Sequence, residues 1–157
     1  MLNLTLAAVA IQRRSAAIAL FRQTHLEEVL VRQLSTDQTK AENTLIGFVR
    51  QVIERHRVQL AVFEVAAKKS ERIRTLSDDA EEICRSKGIP ITRIPEQELF
   101  QSFAVPALRR RDPLRKIARS LWPILNSPSF GHASLDAAAL GLCAQTKRLF
   151  ALNSPQS

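Results

Sequence analysis

Three apolar runs crowd the first 34 residues, and only short polar breaks part them. Residues 3–11 read NLTLAAVAI, and Gln12-Arg13-Arg14-Ser15 interrupt. Ala16 to Phe21 follow, Arg22-Gln23-Thr24-His25 interrupt again, and Leu26 to Leu34 carry Val29, Leu30 and Val31. Runs of that length with such breaks predict three strands in an antiparallel meander. Alanine works against this reading, because it is frequent in the first two runs and favours helix as much as strand.

The rest of the chain alternates between the two periodicities. Ser35 followed three residues later by Gln38 predicts a helix start, and Leu45, Ile46, Val49, Val52 and Ile53 continue it with one apolar stripe. Residues 59–65, QLAVFEV, read as a strand. A second helix is predicted from about Glu71 to Lys87, with Ile73, Leu76, Ala80, Ile83 and Cys84 inward and Gly88 as its stop. Residues 89–94 form a short strand whose Pro90 suits a strand start or edge. Pro95 opens a short helical piece with Leu99, Phe100 and Phe103. Residues 105–113 are a basic loop, 114–125 a helix with Ile117, Leu121 and Trp122 on one side, and 126–129 a turn. A last helix covers 131–150, and 151–157 are a loose tail. The order β-β-β-α-β-α-β and then helices predicts a mixed sheet, three antiparallel strands followed by parallel ones, with helices on its faces. One domain over residues 1–150 accounts for the length.

Charge narrows the partners. The chain carries 23 Lys and Arg against 15 Asp and Glu, a formal net charge of +8. Such an excess suits a polyanion, nucleic acid before an anionic membrane. No apolar run approaches the ~20 residues a membrane span needs, and the amino-terminal stretch is apolar first and basic afterwards, the reverse of a secretory signal. Cys84 and Cys143 sit in apolar helical segments with no CxxC pair, so they read as reduced core thiols of a cytoplasmic protein.

Chemistry is most visible where the pattern wants no acid. Glu64 stands near the end of the most strand-like run in the chain, and Asp136 lies within GHASLDAAALGLC, a stretch otherwise made for a core. A carboxylate in such a place must be solvated, paired or bound to a metal. His132 stands one helical turn from Asp136 and shares its face. Together Glu64, Asp136 and His132 form a candidate set for Mg²⁺ or Mn²⁺. Simpler roles compete with that one: Glu64 can pair with Lys68 or Lys69, Asp136 can favour a helix dipole, and Ser134 can cap. The cations cluster too. Arg13 and Arg14 fill the first break, Lys68, Lys69 and Arg72 follow Glu64, and Arg109, Arg110 and Arg111 precede a helix with Arg115 and Lys116. These ten are candidate phosphate contacts. Tyrosine is absent and no ribonucleoprotein motif occurs, so stacking on single strands is not the expected mode.

These segments and their order resemble the ribonuclease H-like superfamily, and within it the RuvC-like Holliday junction resolvases. LTLAAVAIQRRSAAIALF is similar to the family's first two strands. LAVFEV is similar to its fourth strand with the acid at Glu64. LRRRDPLRKIARSLWPIL is similar to the basic loop and helix near the end, and HASLDAAALGLC to the carboxyl-terminal acidic helix with Asp136. The resemblance implies a five-stranded ribonuclease H-like sheet, a Mg²⁺- or Mn²⁺-dependent nuclease centre at Glu64, Asp136 and His132, branched DNA as partner, and a homodimer, for which the helix at 36–56 is a candidate surface. It also implies an acid in the first strand, where this chain has Ala10, and a glycine-containing turn, where it has Gln12-Arg13-Arg14. Gln12 shares the strand parity of Ala10 and offers at best a neutral amide oxygen. The expected function is therefore recognition of branched or structured DNA, and DNA before RNA, with an incomplete nuclease centre. An active metal-dependent endonuclease and a purely protein-binding role are the alternatives.

Overall fold

The computed structural model describes residues 4–103 and 111–153. Its sheet has five strands: β1 (Thr5–Ile11), β2 (Ser15–Arg22), β3 (His25–Gln33), β4 (Leu60–Glu64) and β5 (Ile91–Ile94), in the order β3-β2-β1-β4-β5. β1–β2 and β2–β3 are antiparallel, and β1–β4 and β4–β5 are parallel. The expected meander and the two later parallel strands are therefore present. The helices are α1 (Gln38–His56), α2 (Glu71–Ser86), α3 (Glu96–Ser102), α4 (Asp112–Leu121) and α5 (His132–Asn153).

Both faces of the sheet are covered, which explains the near-continuous apolar runs. Leu6, Ala8, Ala17, Ala19, Phe21 and Val62 face α5, while Ala7, Val9, Ala16, Ile18, Leu20 and Phe63 face α1 and α2. The strand alanines have a steric purpose here. Their small side chains let α5 come so close that a methyl on Gly141 would overlap the Phe21 ring and meet the Ala8 Cβ at 3.1 Å. Packing decides strand against helix for these alanines, not local propensity.

Helix boundaries follow local chemistry, with four departures from expectation. Asp37, not Ser35, caps α1, accepting from the Lys40 amide at 2.9 Å, while Ser35 Oγ accepts from the Asp37 amide. The helix expected over 114–125 starts at Asp112 and stops at Leu121 because Pro123 cannot continue it; Pro123–Asn126 form a 3₁₀ turn instead. Leu121 lies on the exposed side, and Leu114 and Ala118 are the residues α4 buries. α5 runs to Asn153, into the stretch expected as a tail. α2 keeps its expected frame, with Ser70 as cap and Gly88, at φ +72, just past its end.

Candidate functional site

Strand parity aims three side chains at one place. In β1 and β4 the pairing Val9↔Phe63 puts Ala10 and Glu64 side by side one residue on, on the face that receives α5. Gln12 continues the same face past the end of β1. Asp136 lies one turn into α5, and α5 crosses β1 and β2. The carboxyl ends of the parallel strands β1 and β4 thus meet the amino-terminal part of α5, the position where sheets of this type hold ligands. A cleft of about 250 Å³ opens there, lined among others by Ala10, Gln12, Glu64, Lys69, Arg111 and Asp136.

Cations of the chain itself pair with the acids in the cleft. Asp136 Oδ1 accepts from Arg115 Nε at 3.0 Å, and its Oδ2 accepts from Arg115 Nη2 at 3.0 Å and from the Gln12 amide nitrogen at 3.3 Å. Arg111 Nη1 stands 3.6 Å from the same oxygen. Glu64 Oε2 pairs with Lys69 Nζ at 3.1 Å and accepts a hydrogen bond from Arg111 Nη2. The same Nη2 donates to Glu96 Oε2 at 2.7 Å, and Lys69 reaches that oxygen at 3.9 Å. One guanidinium therefore touches three carboxylates, and three acids balance three cations.

Burial makes these pairs matter. Side-chain exposure is 9% for Asp136, 15% for Glu64, 13% for Arg111 and 14% for Arg115, but 49% for Glu96. Burial works against the charge on Arg111, yet its hydrogen bond to Glu64 and the charges of Glu64 and Asp136 outweigh this and hold its pKa above the ordinary arginine range. Such charge-assisted, bidentate contacts are the strong kind.

The expected site residues divide clearly. Glu64 and Asp136 come together, joined through Arg111. His132 does not join them: it is exposed at the start of α5 and does not line the cleft. Gln12 lies beside Ala10 as expected but turns its amide nitrogen, not its oxygen, toward Asp136. Of the simpler roles, Glu64 pairs with Lys69, whereas Ser134 is buried and its hydroxyl has no partner among the described residues. Arg13, Lys69, Arg111 and Arg115 line the cleft, and Arg14, Lys68 and Lys116 are exposed. Arg72 is spent elsewhere: its guanidinium donates to the carbonyls of Arg13, Ser35 and Thr36 and to Gln38 Oε1, bolting the β1–β2 turn to the start of α1. Arg109 and Arg110 fall outside the described residues. Glu96 was not singled out from the sequence, and no local spacing marks it. Nor does any tie Arg111 to Glu64, 47 positions away.

This donor set does not fit a divalent cation. Mg²⁺ and Mn²⁺ need several anionic oxygens with lone pairs to give. Both oxygens of Asp136 and the paired oxygen of Glu64 already face guanidinium, ammonium or amide N–H groups, and the neighbouring strand position is Ala10. Among the described residues no three His, Cys, Asp or Glu side chains form a group able to hold a metal ion.

No protein-family model and no curated protein sequence matches the chain. Solved structures do match. RuvC of Thermus thermophilus aligns over 94% of this chain and 97% of its own, with a TM-score of 0.75 and 13% identity. T. thermophilus RuvC in complex with Holliday junction substrate aligns over 93% and 96%, with a TM-score of 0.72 and 13% identity. Fowlpox virus resolvase, solved with its substrate Holliday junction DNA, aligns over 96% and 100%, with a TM-score of 0.55 and 14% identity. The expected RuvC-like, ribonuclease H-like fold is the fold of this chain.

Proposed function

We propose that this chain binds branched DNA across the carboxyl edge of its sheet and cleaves it weakly or not at all. One observation carries the reading: Glu64 and Asp136, the two acids of the cleft, are neutralised by Arg111, Arg115 and Lys69. Hydrolysis by two metal ions relies on anionic oxygens that hold both ions and offset their charge. Here those oxygens hold cations of the chain itself, and Ala10 supplies none. No step through Mg²⁺ or Mn²⁺ is derived for this site. Glu64 and Asp136 act as anchors for two arginines in this reading, and His132 has no part in it.

The placement of charge supports the partner. Arg13 and Arg14 leave the end of β1, Lys68 leaves the end of the parallel strand β4, and Lys116 lies on α4, all four exposed. This rims one edge of the molecule with cations suited to several backbone phosphates. RuvC and the fowlpox resolvase, which share the fold, were solved on junction DNA. A homodimer through α1 would match the symmetry of a four-armed substrate. No helix among the described residues is long and apolar enough to cross a membrane. Cys84 and Cys143 are free and buried, and burial pushes the Cys84 thiol up to about 11.

Fluorescence anisotropy in EDTA, with a labelled four-way junction and a duplex of the same sequence at two salt concentrations, tests the reading. Tighter binding to the junction, falling steeply with salt, is expected. Equal affinity for both, or no salt-dependent binding, would refute it.

A further inference from the structure

The three acids on Arg111 are not equivalent. Asp136 is buried and Glu64 largely so, and releasing either would leave a poorly solvated charge unpaired. Glu96 is half exposed, sits on the first residue of α3, and needs only a side-chain rotation to leave. Its carboxylate contacts Arg111 at 2.7 Å and Lys69 at 3.9 Å. An anionic oxygen at that point is therefore held by two cations, one of which, Arg111, stays fixed by Glu64 and Asp136 when Glu96 departs.

A second feature shows what could replace it. A groove of about 430 Å³ lies beside Glu96 and shares Glu64 and Lys69 with the cleft. Pro95, Val65 and Ala67 give it apolar surface, and Lys68 and Lys69 give it positive charge. Apolar surface next to paired cations suits a nucleotide, whose sugar or base is largely apolar and whose phosphate is anionic.

We propose that Glu96 is a placeholder for a DNA phosphodiester: on binding, a backbone phosphate displaces Glu96 from Arg111 and Lys69, and its sugar enters the groove beside Pro95 and Val65. The proposal rests on the DNA-binding reading above. No bond is made or broken; one anion exchanges for another on fixed cations. Glu96 thereby weakens binding in the free protein.

Junction affinity in EDTA of wild type, Glu96→Gln, Lys69→Met and Glu98→Gln tests this. Glu98 lies on the same helix but pairs with Lys147, so it controls for net charge. Glu96→Gln is expected to bind about two- to fivefold tighter at low salt, the worth of one partly exposed ion pair. Its log–log salt slope should steepen by about one phosphate contact, and Lys69→Met should weaken binding. Unchanged melting temperatures would establish that the variants are folded. If wild type binds and Glu96→Gln is no tighter, or Glu98→Gln gains as much, the placeholder idea falls alone. If neither wild type nor Glu96→Gln binds, both readings fall.

Discussion

Replacing Asp136 with alanine separates two accounts of the cleft by the sign of a stability change. Arg115 spends two N–H groups on Asp136, both at 3.0 Å, and its side chain is 14% exposed. Removing one partner of a buried pair costs about 3–5 kcal/mol, because the surviving charge stays buried and unmatched. Arg111 keeps Glu64 and Glu96, and some solvent reaches the cleft, so the expected loss is roughly 2–4 kcal/mol. With a urea m-value of about 2 kcal/mol per molar, the midpoint drops by roughly 1–2 M. Equilibrium urea unfolding followed by circular dichroism measures this. Acids kept apart from cations and awaiting a metal repel one another, and deleting one relieves that repulsion. An Asp136→Ala variant as stable as wild type, or more stable, would refute the account of an arginine-filled cleft.

Three more substitutions test other parts of the structure. Gly141→Ala gains about 1 kcal/mol in helix propensity on an exposed helix. Here the added methyl strikes the Phe21 ring, which is fully buried and meets Trp122 edge-on at 6.1 Å. A net loss of about 1–2 kcal/mol is expected by thermal or urea unfolding. Arg72→Met should cost about 1–3 kcal/mol through the carbonyls it leaves unpaired. The exposed Lys68→Met should leave stability unchanged and flatten the salt dependence of DNA binding by about one contact.

The sheet was legible because its signal is local: apolar runs of strand length, short breaks, then alternation with helical stripes. Alanine obscured it, since Ala8, Ala17 and Ala19 lie in strands through their packing with α5, which approaches Ala8 most closely at Gly141. The acids were legible as anomalies, a carboxylate at the end of an apolar strand and another in an alanine-rich helix. Their partners were not. By sequence Arg111 is one of three arginines of a basic loop, and only the folded chain brings it to Glu64, Glu96 and Asp136. Arg72 looked like a phosphate contact for the same reason: a sequence shows that a cation is present but not whether backbone carbonyls already consume it. His132 shares a helix face with Asp136 by spacing, but the start of α5 lies outside the cleft.

Incubation of a four-way junction with wild-type protein and excess Mn²⁺, followed by denaturing electrophoresis, puts the claim of a cation-filled, inactive cleft to the test. The claim predicts an intact junction, or a trace of nicking that Glu64→Ala leaves unchanged, alongside salt-sensitive binding of the same junction. Efficient paired incision that Glu64→Ala abolishes would contradict it.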